Sequence, residues 1–449
     1  MIPKSASRTP PAAAPRLVVR TVAIDENEPL IPRTDPRNPL VWMRRGEGIV
    51  GLGEVLRIES RGASRIDDAA AAWTELAARA DVDDRVGLPG TGLVAFGTFA
   101  FAAASTATSV LIVPELVLGR RDGRAWVTRI TLTTGDPTTD VSDGTADPTI
   151  PEPAPKRKVP RVAFAPGSLP PGAYEAAVAE AVRRIDGGEP ETAGAQQKAS
   201  AQQKASPLQK VVLARQLVGR LDDEAGLRAT IRQLADDYPD TWVFAVDGLI
   251  GASPETLVRV DHGQVSARVL AGTAARGAGE ASDRDRAAAL QQSPKDLAEH
   301  ALAVASAVKR LAPHTARLDT SPEPFTLQLP NLWHLATDLK GVLGDGSSSL
   351  DLVRAVHPTA AVAGTPRRTA MSTLAELEGF DRRRYAGPVG WVDGDGDGEW
   401  AIALRCAQVD GDGTVTAYAG CGIVHDSVPA DELAETEMKF RPIIEAFGG

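Results

Sequence analysis

Apolar and polar positions follow a mostly strand-like pattern from Leu17 to about Ile130, interrupted by one Ala-rich stretch near Ala69 to Arg79 with helical spacing. Within that region Gly92 to Leu118 is apolar and carries many β-branched residues, which predicts consecutive buried strands. Thr134 to Lys158 is dense in Asp, Thr, Pro and Gly and reads as a surface loop or linker. Tyr174 to Ile185 has helical spacing. The hexamer AQQKAS then occurs twice in succession, at 195–200 and 201–206. Two polar copies build no core, so a flexible insertion over 190–207 is expected. Beyond it, Val211 to Arg215, Trp242 to Val246, Thr256 to Val260 and Val265 to Leu270 read as strands. Lys295 to Leu311 reads as a helix. Tyr385 to Val392, Trp400 to Val409 and Thr414 to Ile423 read as antiparallel strands, and Pro429 to Ala446 as a last helix. Strands dominate and helices are few, which predicts an α+β fold with sheet packed on sheet.

Composition narrows the function. The chain has 449 residues and 43% hydrophobic residues, enough for one large domain or two medium ones. A net charge of −10 argues against a nucleic-acid partner, because phosphate binding favours a basic surface. With two cysteines, Cys406 and Cys421, no disulfide framework is expected, and a reducing cytoplasmic setting fits. Residues 1–15 are rich in Pro, Ala and Ser and are expected to be a disordered tail; they have no apolar segment of a secretory signal. No apolar run approaches the roughly 20 residues of a membrane span.

Two motifs suggest other functions and fail on context. Gly46 to Gly51 reads GEGIVG and matches the dinucleotide fingerprint of an oxidoreductase, but a strand-like segment follows where that fingerprint needs a helix. Asp393 to Gly398 reads DGDGDG and matches half of a Ca²⁺-binding loop, yet Leu404 stands where the bidentate glutamate belongs. Both read as turns between strands. The six histidines show no close pair with zinc-ligand spacing.

Helical spacing puts Asp296 and Glu299 on one face of the Lys295 helix, and Glu432, Glu435 and Lys439 on one face of the last helix. Taken alone, such faces are ordinarily solvated. The wider pattern carries more. LQKVVLAR (208–215), GASPE (251–255), LAGTAARG (270–277), SPKDLAEH (293–300), LWHLAT (332–337) and VHPTAAVAGTPR (356–367) are followed by YAGPVGW (385–391), ALRCA (403–407), AGCGIV (419–424) and ELAETEMK (432–439). In that order, these segments closely resemble the chorismate-utilising enzymes: isochorismate and salicylate synthases, anthranilate synthase component I and aminodeoxychorismate synthase.

The resemblance implies two large antiparallel sheets packed as a sandwich with helices outside, and a site between the sheets. It implies a catalytic core over 160–449 with a mostly-β region over 16–150 integrated into it. By position, Lys210 matches the general base and Glu255 the general acid. Glu299 and Glu435 match direct Mg²⁺ ligands, with Asp296 and Glu432 as acidic neighbours. Gly272 with Thr273, Arg405, Gly420 and Lys439 match contacts to the substrate carboxylates; His334, Ala361, Val362 and Tyr385 match the wall around the ring. The chemistry is coherent. A dianionic substrate calls for cationic clamps, and arginine binds a carboxylate bidentately. Water addition with loss of a hydroxyl calls for a base and an acid.

Within the family, ammonia users carry Gln where this chain has Lys210, and the lysine that some aminodeoxychorismate synthases use covalently is replaced by Ala271. Water is therefore the expected nucleophile, without a glutaminase partner. Salicylate synthases share the lysine but typically carry Thr where this chain has Ala361. The resemblance thus implies Mg²⁺-dependent isochorismate formation from chorismate, with salicylate formation as the alternative. Family members are commonly monomers, and the product would enter menaquinone or siderophore biosynthesis.

Overall fold

A computed structural model describes residues 16–25, 29–133, 150–155, 157–187, 207–221, 226–330 and 332–449. The expected N-terminal tail, the AQQKAS duplication and most of the Thr134 to Lys158 linker lie outside these residues.

Two sheets dominate. The thirteen-stranded sheet runs from Ala165–Pro166 through Lys210–Arg220, Thr414–Ile423, Cys406–Val409, Leu249–Ser253 and Trp242–Val246 to Leu40–Arg44. It continues through Glu47–Leu52, Leu116–Arg121, Arg124–Thr133 and Arg16–Ile24 to Asp81–Asp84, and Gly364–Thr365 pairs with Lys210–Arg220 off this path. The ten-stranded sheet runs from Thr315–Thr320 through Leu332–Leu343, Gln264–Ala275, Thr256–Asp261 and Gly398–Ile402 to Pro388–Asp393, Val94–Thr98, Ser109–Val113 and Leu56–Ser60, and Phe325–Gln328 pairs with Leu332–Leu343 off this path. Among the described residues, pairing is antiparallel except where Arg16–Ile24 meets Asp81–Asp84. One apolar core holds residues of both sheets, among them Leu213, Phe244, Val258, Val389 and Trp400. Across it the Trp42 indole N–H donates to Glu399 at 3.0 Å, tying one sheet to the other.

Eight α-helices surround the sheets among the described residues: α1 (Arg65–Ala77), α2 (Pro171–Ile185), α3 (Leu227–Asp237), α4 (Glu280–Gln292), α5 (Pro294–Leu311), α6 (Ser349–Val356), α7 (Arg367–Leu377) and α8 (Pro429–Ala446). The α+β sandwich is as expected, but helices are more numerous than the patterning predicts. α4 buries only Asp283 and Leu290, so it has almost no apolar face to read. α6 spans eight residues, too few to show a period. α3 and α8 pack Ile231, Leu234, Phe440 and Ile443 on the outer face of the larger sheet.

Neither discounted motif has the context its match requires: in GEGIVG only Gly46 lies in a turn and Glu47 to Gly51 run on as strand, whereas the DGDGDG segment is a turn. Arg45 and Gly46, with φ of 54° and 76°, close the hairpin between Leu40–Arg44 and Glu47–Leu52. The DGDGDG segment joins Pro388–Asp393 to Gly398–Ile402, with Asp393 accepting from the N–H groups of Asp395 and Asp397. The stretch read as one strand over Trp400 to Val409 is instead two strands in different sheets. Both halves are buried and apolar, so periodicity does not reveal the break.

Candidate active site

The chain crosses between the sheets twice at one place. Leu249–Ser253 belongs to the larger sheet and Thr256–Asp261 to the smaller; Pro254 and Glu255 form the crossing. Gly398–Ile402 and Cys406–Val409 make the return crossing through Leu404 and Arg405. The crossings bond to each other: the Ala252 N–H donates to Arg405 O at 3.1 Å, and the Ile402 N–H to Glu255 O at 3.2 Å. Arg405 takes φ of 48°, an uncommon conformation for a residue with a Cβ, and its buried side chain meets the same cavity as Glu255.

That cavity is about 190 Å³, sized for one small molecule. Glu255, Gly272, Thr273, Asp296, Glu299, His334, Ala361, Val362, Tyr385, Arg405, Gly420, Glu432, Glu435 and Lys439 all line it. Lys210, the remaining residue singled out from the sequence, stands just behind the lining with no exposed surface. Larger depressions of about 550 and 670 Å³ lie elsewhere on the molecule, without a comparable set of buried charges.

Local structure explains the positions. Gly272 sits at a bulge in Gln264–Ala275, where the register against Leu332–Leu343 shifts between Ala271 and Thr273. Its φ of 81° is one that a glycine adopts without strain. α5 begins at Ser293, whose hydroxyl accepts from the Asp296 N–H. It carries Asp296 and Glu299 to the cavity from one side, and α8 carries Glu432, Glu435 and Lys439 from the other.

The charges are paired and crowded. Lys210 Nζ lies 2.8 Å from Glu299 Oε1, off the direction of a hydrogen bond. Lys439 Nζ lies 2.5 Å from Glu435 Oε1 and donates to Gly420 O at 2.9 Å. Lys295 Nζ lies 3.5 Å from Glu432 Oε1, which also accepts from Ser427 Oγ at 2.7 Å. Burial and the neighbouring Glu435 push Glu432 up to about 7. Burial, then Glu299, pushes Asp296 up. For Glu435 burial acts upward, but the Lys439 ammonium overrides it and holds the carboxyl below its ordinary value. Burial raises Glu255 to about 8 against the opposing pull of Lys210, Arg405 and Lys439. His334 is held neutral by burial and by Arg405. Its Nε2 lies 3.1 Å from Arg405 Nη2 and its Nδ1 3.2 Å from Gly272 O, so Nδ1 carries the proton.

Asp296, Glu299, Glu432 and Glu435 offer hard oxygen donors to one cavity, which suits a divalent cation of the Mg²⁺ type. The raised Glu432 and Asp296 show carboxylates crowded enough for a cation to relieve. At the cavity, the ligand atoms of Glu432, Glu435 and Cys421 lie within 4.8 Å of one another, whereas Glu299 is engaged by Lys210. Sequence reasoning assigns Cys421 no part in the site, yet the buried thiol borders this group. It also gives Lys295 no role, although Lys295 lines the cavity and pairs with Glu432. Its place one residue before Asp296 and four before Glu299 was the available signal.

The family model described as chorismate binding enzyme matches residues 15–448. The chain belongs to the chorismate-binding enzyme family. It is 35% identical over 243 residues to isochorismate synthase MenF of Bacillus subtilis, covering 53% of this chain and 51% of that one. To isochorismate synthase DhbC of the same organism it is 38% identical over 250 residues, 53% of this chain and 63% of that one. The aligned stretches thus span between half and two thirds of these relatives. The solved structure of DhbC from Bacillus anthracis superposes with a TM-score of 0.71 at 29% identity, covering 93% of this chain and 98% of that one. Among the described residues, no helix of this family member is long and apolar enough to cross a membrane.

Proposed function

We propose that the protein is an isochorismate synthase: water adds at ring carbon 2 of chorismate and the hydroxyl leaves ring carbon 4. The observation that carries this reading is one cavity lined by the buried Glu255 and backed by the fully buried Lys210, with burial pushing the Glu255 carboxyl up to about 8. Arg405 and Lys439 bind the substrate carboxylates. His334, Ala361, Val362 and Tyr385 hold the ring, with Tyr385 stacked on Tyr418 at 5.1 Å between centroids. Released from Glu299, the free amine of Lys210 accepts the proton that the attacking water loses. Glu255 donates its proton to the departing hydroxyl, which leaves as water. Mg²⁺, when held by Glu299 and Glu435 with Asp296 and Glu432 beside them, supplies positive charge that offsets the substrate's ring carboxylate.

The same reading makes the protein a cytoplasmic monomer that needs no glutaminase partner; two buried, unpaired cysteines suit a reducing compartment. It also treats residues 16–150 and 160–449 as one catalytic unit, supported by the pairing of Leu40–Arg44 with Trp242–Val246 and of Val94–Thr98 with Pro388–Asp393. The test is incubation of purified protein with chorismate and Mg²⁺, followed by separation of isochorismate, salicylate, anthranilate and pyruvate. Isochorismate in equilibrium with chorismate is expected. Stoichiometric salicylate and pyruvate would instead make the protein a salicylate synthase.

A further inference from the structure

The strand that begins at Lys210 is bonded along one edge by Thr414–Ile423. Its other edge is covered in pieces. Lys210 and Val211 pair with Gly364–Thr365, and Leu217 and Val218 pair with Ala165–Pro166. Between these stretches no strand of the described residues lies alongside, yet the backbone groups of Val212 and Ala214 are buried there and need partners. The Val212 N–H donates to Ala363 O at 3.0 Å. Two more of these groups, the Val212 carbonyl and the Ala214 N–H, are met by side chains from the end of α7 and the turn beyond it. The Glu378 carboxylate accepts from the Ala214 N–H at 2.8 Å, and the Arg382 guanidinium donates to Val212 O.

Glu378 and Arg382 also bind each other, Nε to Oε2 at 2.8 Å, and each side chain is only 3% exposed. The remaining arm of Arg382, Nη1, donates to Val362 O at 2.8 Å. Its guanidinium carbon lies 4.6 Å from the centroid of the Phe101 ring and 5.8 Å from that of Tyr385. One rigid fork therefore reaches the strand of the proposed base, the carbonyl of the proposed ring wall and the ring of Tyr385. A buried ion pair alone is weak support for stability. What this one does is geometric: it bridges two elements of the cavity that no strand pairing joins at that level.

We infer that Glu378 and Arg382 are a positioning pair that holds the Lys210 strand against the Ala361–Val362 wall, and so sets where the ring sits relative to the base. The inference rests on the reading of the cavity given above.

Arg382→Lys keeps the charge but replaces the fork by a point contact that cannot serve Glu378, Val212 and Val362 together. Glu378→Asp is a milder second variant, keeping the charge and withdrawing the carboxylate by one methylene. Arg384→Lys is the control: the buried Arg384 pairs with the half-buried Asp247 at 2.6 Å, away from the cavity. Each variant is measured for thermal unfolding, for kcat and KM with chorismate, for equilibrium chorismate affinity, and for amide exchange in peptides covering 208–216 and 357–365. In both positioning variants, kcat/KM is expected to fall on the order of tenfold to a hundredfold while the protein remains folded. Exchange should rise in those two peptides and not globally. The control should lose stability with kcat and KM unchanged. If a folded positioning variant keeps wild-type kcat, KM and exchange, or loses only melting temperature as the control does, the inference is overturned. If the unmodified protein makes no isochorismate, the functional reading fails instead; chorismate affinity and exchange then decide the positioning role by themselves.

Discussion

A carboxylic acid that must give up a proton at neutral pH has to be kept from ionising first, and at Glu255 burial does this against three nearby cations. With its pKa at about 8, the acid form predominates at neutrality and is lost as pH rises through that value. Turnover is therefore expected to decline above about pH 8, as a pH–rate profile at saturating chorismate and Mg²⁺ would show. Glu255→Gln should lower kcat by roughly 10²–10⁴-fold and abolish that alkaline limb. A variant that kept the limb would assign it to another group. The same shift has a sign for stability. The folded state holds this proton more tightly than the unfolded chain, so the contribution is full below the ordinary carboxylate range and is lost as pH rises through about 8. At Lys210 the expectation concerns rate: Lys210→Ala should lower turnover by a similar factor, roughly 10²–10⁴, with chorismate still bound. Near-normal turnover would remove it as the base. The types and spacings of these residues were legible in the sequence. The left-handed backbone of Arg405 was not, because nothing in ALRCA marks a change of sheet.

Among the elements, α5, α8 and the strand Thr414–Ile423 together frame the acidic side of the cavity. Gly422 on that strand faces it closely: a Cβ there would come within 2.5 Å of Glu299 Oε1 and 2.9 Å of Lys210 Cε. Both are ends of side chains able to shift, so Gly422→Ala should fold normally but displace Glu299. Half-saturation by Mg²⁺ is expected to rise by about tenfold, which corresponds to about 1.4 kcal/mol. An unchanged Mg²⁺ titration would place Glu299 outside the metal's reach. The carboxylates themselves predict that EDTA abolishes activity and that added Mg²⁺ restores it. α5 and α8 were visible in the sequence from their helical spacing, in which the acidic residues share a face with buried positions such as Ala303 and Ile443. Glu378 and Arg382 were not, since their partners are backbone groups of a strand more than 160 positions away.

At the scale of the molecule, the sandwich was legible from the succession of strand-like segments, and the number of helices was not, because α4 buries almost nothing apolar and α6 is too short to show a period. Reaction choice also belongs to this scale, since it depends on how all walls of the cavity act together. Ammonium added to the assay should give no anthranilate. Ala361→Thr, which adds bulk and a hydroxyl beside the ring, should increase pyruvate release. No increase would show that Ala361 does not hold the choice.

The paired crossings at Ala252–Arg405 and Ile402–Glu255 have a mechanical meaning. The proposed acid, Glu255, and the proposed cationic clamp, Arg405, hang on a seam stitched from both sheets, so neither sheet carries a working half of the site. Any slip of one sheet over the other displaces both groups at once. Catalysis should accordingly act as a gauge of sheet docking. On heating, activity should disappear at the same temperature as the near-ultraviolet circular dichroism of Trp42 and Trp400, which are buried in the core between the sheets. Inactivation well below that temperature would mean that the seam opens while the sheets stay packed.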